Sequence, residues 1–244
     1  MNAPTPASAL DPVAVMELFD TSHQQIAAML ARLSQLSLDL AEQGTTLPLR
    51  QEARAAGKVN HPRVAQVYAL NFSNGHPYLV MELVAGEDLA QKLADGGALG
   101  ERAVLRTALD VAEGLSALNR EGLVHGDIKP SNIVLDRDGN AKLVDFGLSG
   151  MSRRDETGGL VGTPDYIPPE LLQGGTDTHH GDLYSFGATL YHLLSGRPPF
   201  EGETPSDIIR ARLTQRPPPL AAVAPGISYA TCSLVTSLLE ADPA

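Results

Sequence analysis

The sequence predicts an α+β fold, with short strands in hairpins beside long helical segments. Three observations carry it. Residues 133–143 place Ile133-Val134-Leu135 and Ala141-Lys142-Leu143 on either side of Asp136-Arg137-Asp138-Gly139, a hairpin pattern. Val64 to Leu70 and Pro77 to Leu83 read as two further strands around the turn signal Ser73-Asn74-Gly75. From Glu101 to Glu121, Leu105, Leu109, Ala112, Leu115 and Leu118 recur at the helical period.

The chain has 244 residues, enough for one large or two small cores. Apolar residues make up 43% and charged residues 19%, ordinary for a globular protein. A formal net charge of −11 argues against a nucleic-acid groove. Cys232 is the single cysteine, so an intramolecular disulfide is excluded. Met1 to Leu10 carry no Lys or Arg and no long apolar run, unlike a secretory signal. No stretch has the apolar length of a membrane span, and a soluble cytoplasmic chain is the expectation.

In chain order, residues 1–12 are rich in Ala, Pro, Ser and Thr and read as a disordered tail. Asp20-Thr21-Ser22 offers N-caps to an amphipathic helix from about His23 to Glu42, within a segment 13–46 that ends past Gly44. Its stripe of Ile26, Leu30, Leu33 and Leu40 requires cover, from a helix partner for residues 23–42 or from the lobe C-terminal to it. Residues 13–44 faintly resemble the opening helix of hemerythrin-like proteins, with His23 where that family has an iron ligand. A di-iron site needs several more His and carboxylates on partner helices, and the next His is His61, so a surface or capping role for His23 is expected.

The chemistry is concentrated in residues 125–147. A polar loop, His125-Gly126-Asp127-Ile128-Lys129-Pro130-Ser131-Asn132, precedes the 133–143 hairpin, and Asp145-Phe146-Gly147 comes after it. The hairpin brings Asp127, Lys129, Asn132 and Asp145 together: one candidate base, one cation and two oxygen ligands for a hard metal. Mg²⁺ keeps few protein ligands and shares them with substrate phosphates, so a carboxylate and an amide oxygen suit it.

This run resembles the catalytic loop and Asp-Phe-Gly segment of protein kinases, on the bacterial-type serine/threonine branch. The resemblance implies that Asp127 takes the substrate hydroxyl proton, Lys129 steadies the transferred phosphate, and Asn132 and Asp145 hold Mg²⁺. It implies ATP as phosphoryl donor and a protein Ser/Thr as acceptor. The pattern runs from about residue 49. Glu52 falls at the position of the ion-pairing Glu of the family's C-helix. Met81 falls at the back of the nucleotide pocket, Glu82-Leu83-Val84 at the hinge, and Glu87 or Asp88 near the ribose. Val134 joins the nucleotide-binding residues, and His125 packs beneath the site. Gly162 to Glu170 is similar to the substrate-positioning loop, with Thr163 near Asp127 and Pro168-Pro169-Glu170 in place of Ala-Pro-Glu. Asp182 is then a brace on the catalytic loop, and Phe146 and Gly147 are structural. The implied fold has two lobes: a reduced N-terminal sheet in residues 47–86, and a mainly α-helical C-terminal lobe in 87–244, preceded by the extra helix.

Departures from the family are specific. Gly126 stands where Arg is usual, so the resemblance does not extend to activation by loop phosphorylation. Residues 1–57 contain no Lys, and Gly44 is their one Gly before Gly57, so the Gly-rich loop and phosphate-gripping Lys are absent there. The C-terminal lobe reads as shortened, which leaves Glu170 without its usual Arg. The expected function is therefore a serine/threonine kinase with impaired activity; the alternatives are a pseudokinase scaffold or binding module, or a kinase fragment from a fusion or truncation. Ser149, Ser152 and Thr157, Arg153-Arg154 and His179-His180 read as solvated loop residues, and Arg216-Pro217-Pro218-Pro219 as an extended loop.

Overall fold

The computed structural model describes residues 53–73, 76–145 and 164–240. The tail, the 23–42 helix with His23, Glu52, Phe146, Gly147, the loop residues 149–157 and Thr163 lie outside the described residues.

Strands and helices form as an α+β arrangement. β1 (Val67–Ser73) and β2 (His76–Met81) make an antiparallel hairpin, with an irregularity between Val67 and Ala69. A second antiparallel sheet is ordered β3-β4-β5, from Gly86–Asp88, Ile133–Asp136 and Ala141–Leu143. β1 starts three residues later than the expected Val64 because the preceding segment is used by the other sheet. Ala65 N–H donates to Leu143 O at 2.8 Å, and Leu143 N–H donates to Arg63 O at 2.8 Å. The 136–139 turn is self-contained: the Asp136 carboxylate accepts from the N–H groups of Asp138 (2.9 Å) and Asn140 (2.8 Å).

The helices are α1 (Leu89–Gly96), α2 (Glu101–Arg120), α3 (Pro169–Leu172), α4 (His179–Ser195), α5 (Pro205–Thr214), α6 (Leu220–Val223) and α7 (Tyr229–Leu238). Four of these helices start on a side-chain cap. Asp88 caps α1, Thr178 caps α4, Ser228 caps α7, and Thr204 with Asp207 forms a capping box on α5. The Thr178 cap corrects one expectation: His179 and His180 form the first turn of α4 and not a loop. The Arg216–Pro219 stretch has no helix or strand, in line with the extended reading.

The buried face of α2 is turned from the expected one. Val104, Ala108, Val111, Leu115 and Leu118 are buried, whereas Leu109 is 69% exposed and Ala112 is exposed. Tertiary demands on that face explain the shift. Asp110 must reach Arg63 Nη2 at 2.9 Å and the Ala141 N–H at 2.8 Å. Gly114 meets the backbone of Arg63 and the side chain of Leu143 so closely that a Cβ would lie about 3 Å from both. The sum of these contacts, not the leucine count, sets the rotation of the helix.

The core joins every part that carries the loop. Leu118 of α2, Ile128 of the loop, Ile133 of β4, Leu143 of β5 and Leu193 of α4 have 0% exposure. Each contributes on the order of 1.5–3 kcal/mol by burial. α4 runs through the middle, with Tyr184, Phe186, Ala188, Leu190, Tyr191 and Leu194 also buried. α7 packs against it at Gly187, where a Cβ would come within 2.7 Å of Leu238 Cβ and 3.1 Å of its carbonyl carbon.

That approach yields a prediction. Ala is the better helix former by about 1 kcal/mol, yet Gly187→Ala should destabilise the protein by roughly 1–3 kcal/mol by forcing two backbones apart. Urea unfolding checks this; an unchanged or raised midpoint would contradict the packing described.

Candidate active site

The loop from His125 to Asn132 is held from beneath by α4. Asp182, 4% exposed, spreads its two oxygens: Oδ2 accepts the His125 N–H at 2.8 Å and Oδ1 the Gly126 N–H at 2.7 Å. Gly126 has φ 76°, the left-handed region in which a side chain is strained. His125 has 0% exposure. Its Nε2 lies 3.2 Å from Val144 O, and its Nδ1 lies 3.3 Å from the Asp127 N–H. A neutral ring with its proton on Nε2 satisfies both contacts at once, and links the loop to the residue before Asp145.

On this base the polar groups converge. Lys129 Nζ lies 2.7 Å from Asp127 Oδ2, with the two side chains 23% and 42% exposed. Pro130–Asn132 is a 3-10 turn that begins on Pro, which pre-sets the backbone and gives up no needed donor. Asn132 Nδ2 donates to Asp127 O (2.8 Å) and Asp127 Oδ2 (2.9 Å). With its amide nitrogen so committed, the Asn132 oxygen is turned away from Asp127. Val144 N–H donates to Asn132 O at 3.0 Å, which carries the chain directly to Asp145. Asp145 is exposed with φ 57°, a conformation that Asp tolerates better than most residues. The Asn132 amide oxygen and the open Asp145 carboxylate are hard oxygen donors, the chemistry that suits a Mg²⁺ ion.

Met81, the last residue of β2, and Glu82 and Val84 after it are half-buried, while Leu83 is 76% exposed. Val134 of β4 lies opposite Lys142 of β5, so the two side chains share a face of the sheet. Lys142 Nζ bonds Glu82 Oε1 at 2.5 Å, and Glu82 Oε2 accepts the Gln66 N–H at 3.1 Å. The Glu82 N–H in turn donates to Gln66 O at 2.8 Å. Glu82 is thus held through both its side chain and its N–H. Asp88 Oδ1 accepts from the Ala90 and Gln91 N–H groups of α1, and Glu87 pairs with Lys92 at 2.8 Å. The Lys142–Glu82 bridge escaped sequence reasoning; its partners are 60 residues apart, and no local pattern marks such a pair.

The segment after Thr163 forms a 3-10 turn, Pro164–Tyr166, before α3. Tyr166 Oη bonds His192 Nδ1 of α4 at 2.7 Å, with the rings stacked 6.1 Å apart. Burial pushes the His192 pKa below its ordinary value, against the opposing pull of Asp165 and Glu201. Burial also raises the Tyr166 phenol, so it remains the donor. Glu170 has no ion pair among the described residues, and its side chain lines a small cavity with His180, Leu183, Tyr184 and Leu238.

Comparison with known proteins shows the family. A family model of the protein kinase domain matches residues 15–244. The serine/threonine-protein kinase PknL of Mycobacterium tuberculosis is 37% identical over 198 residues, covering 80% of this chain and 50% of that protein. Pkn2 of Myxococcus xanthus, also a serine/threonine-protein kinase, is 36% identical over 213 residues, covering 83% of this chain and 26% of its own. The probable serine/threonine-protein kinase PknA2 of Bifidobacterium longum is 33% identical over 192 residues, covering 78% and 25%. The chain spans a quarter to a half of the length of these relatives. The likeness of residues 13–44 to hemerythrin-like proteins gains no support, and residues 15–44 fall inside the kinase match. No described helix is long and apolar enough to cross a membrane.

The His192 shift has a signed consequence. Folding favours the neutral ring, so its contribution is complete above the unfolded pKa near 6.5 and declines as pH falls below that value. Protonation would also remove the acceptor for Tyr166. Between pH 7 and 5.5 the unmutated chain should therefore lose more stability than His192→Gln, as read by urea midpoints. Equal losses in the two proteins would contradict this coupling.

Proposed function

Because this chain belongs to the protein kinase family, we propose that it transfers the γ-phosphoryl group of ATP to a Ser or Thr hydroxyl of a protein substrate. The observation that carries the proposal is the Asp127–Lys129–Asn132 cluster, held within hydrogen-bonding distance on a loop clamped by Asp182.

Asp127 is the only carboxylate of that cluster, and its half-open position suits it to orient the substrate hydroxyl and accept its proton. As the hydroxyl oxygen bonds phosphorus, the bond to the β-phosphate oxygen breaks and ADP leaves. Lys129, beside Asp127, steadies the charge on the moving phosphoryl group. Asn132 and Asp145 are the residues that would hold Mg²⁺, which when bound neutralises phosphate charge. The adenine would lie by Met81, the Glu82 carbonyl, Val84 and Val134, and the ribose near Asp88. His125, Phe146, Gly147, Thr163, Glu170 and Asp182 keep positioning roles in this proposal. Residues 47–86 then serve as the small lobe and 87–244 as the large one, working in the cytoplasm.

The rate should be low. Four lysines occur in the chain: Lys58, Lys92, Lys129 and Lys142. Lys92 is bound to Glu87 and Lys142 to Glu82, and Lys58 comes after the helix that would carry Glu52. None stands in for the lysine that grips the α- and β-phosphates. Transition-state charge stabilisers of this kind are each worth about 10²–10³ in rate. The same gap favours a second reading, a pseudokinase scaffold in which the C-terminal lobe serves as a docking surface.

Labelled ATP distinguishes them. The chain should transfer label to a Ser/Thr peptide or protein slowly, and Asp127→Asn should lose at least about 10² of that rate. Equal labelling by the two proteins, or none by either, would overturn the enzymatic reading and leave the scaffold.

A further inference from the structure

Arg212 of α5 is 5% exposed, a depth at which a cation needs specific partners. Among the described residues no carboxylate pairs with its guanidinium, and its Nε has no hydrogen-bond partner. It is instead spent on backbone. Nη1 donates to Pro164 O at 2.7 Å and to Ile167 O, and Nη2 donates to Asp165 O. The rings of Tyr184 and Phe200 lie 5.4 and 5.5 Å from the guanidinium carbon, within cation–π range. Three carbonyls and two aromatic faces thus offset the burial of one charge.

All three carbonyls belong to the four-residue stretch 164–167, which lies between Thr163 and α3. Pro164 opens that stretch without an N–H, and Pro168 and Pro169 just beyond it lack theirs. Its fastenings come from outside: Tyr166 Oη bonds His192, and the carbonyls bond Arg212. Glu170, just beyond, has no ion pair among the described residues, so the guanidinium is the charged anchor here.

We infer that Arg212 is a positioning residue for the protein substrate: its planar fork fixes the backbone of residues 164–167, the stretch similar in sequence to the substrate-positioning loop, and so the surface on which the peptide rests. The substrate part rests on the phosphoryl-transfer proposal; the clamp does not. Lysine cannot replace the fork, because an ammonium cannot hold three carbonyls in one plane.

Two measurements test it. With arginine labelled by ¹⁵N, the Nη–H protons of Arg212 in the unmutated chain should exchange slowly, unlike those of exposed arginines. Fast, averaged Nη–H signals overturn the clamp, whether or not the chain transfers phosphate and without any variant needing to fold. In kinetics, Arg212→Lys should raise the KM for a peptide drawn from a random Ser/Thr library about tenfold, the factor of one net hydrogen bond. Its kcat and the KM for ATP should stay within about twofold. Val104→Ala, a core truncation on α2, should lower thermal stability and leave the peptide KM alone. An unchanged peptide KM in Arg212→Lys, or an equal rise in Val104→Ala, overturns positioning. No phosphate transfer by the unmutated chain would refute the phosphoryl-transfer proposal, and with it the substrate role of Arg212, while the Nη–H signals still decide the clamp.

Discussion

The carboxylate of Asp182 is the contact on which the site depends. Two consecutive N–H groups, those of His125 and Gly126, point into the interior at the start of the polar loop. A buried donor left unmet costs roughly 1–3 kcal/mol, so this loop conformation is stable only where an acceptor with two oxygens waits beneath it. α4 supplies that acceptor in its first turn, and the helix is itself fixed by the Thr178 cap and by burial along nearly its whole length. From there the order propagates outward. His125 spans to Val144, Asn132 spans to Asp127 and Val144, and Asp127, Lys129 and Asp145 come to stand on one rigid base.

A common device recurs around this base: charged side chains used to hold backbone and not merely one another. Asp182 holds two N–H groups, Asp110 holds the N–H of Ala141 while pairing with Arg63, and Arg212 holds three carbonyls. Each joins segments far apart in the chain, and each lies where irregular backbone must be kept in one shape. Glu82 works likewise, bridging Lys142 of β5 to the Gln66 N–H. Interactions of this kind are directional, so they fix geometry in addition to contributing stability.

Local chemistry was legible in the sequence, and long-range chemistry was not. The hairpin of β4 and β5 results from two apolar runs and an Asp-Gly turn, and it formed where expected. The convergence of Asp127, Lys129 and Asn132 was readable because all three lie within six residues of one loop. The buried face of α2 differs from the one its leucines mark because Asp110 and Gly114 are placed by contacts with Arg63, Ala141 and Leu143, which no helical period records. His179 and His180, expected in a loop, are helical because the Thr178 side chain caps α4 just before them. Arg212 and Lys142 gave no signal at all, since their partners lie dozens of residues away.

The phosphoryl-transfer proposal requires a nucleotide cleft to persist although residues 1–57 contain no lysine. Thermal unfolding with and without Mg-ATP, on the unmutated chain and on Asp145→Asn, tests it most directly. A ligand at a hundred times its dissociation constant adds roughly 2.7 kcal/mol to the folded state, or about 5–10 °C for a chain of this size. A Mg²⁺-dependent rise is expected in the unmutated chain and should be lost in Asp145→Asn. No rise in the unmutated chain, or the same rise in both, would contradict it.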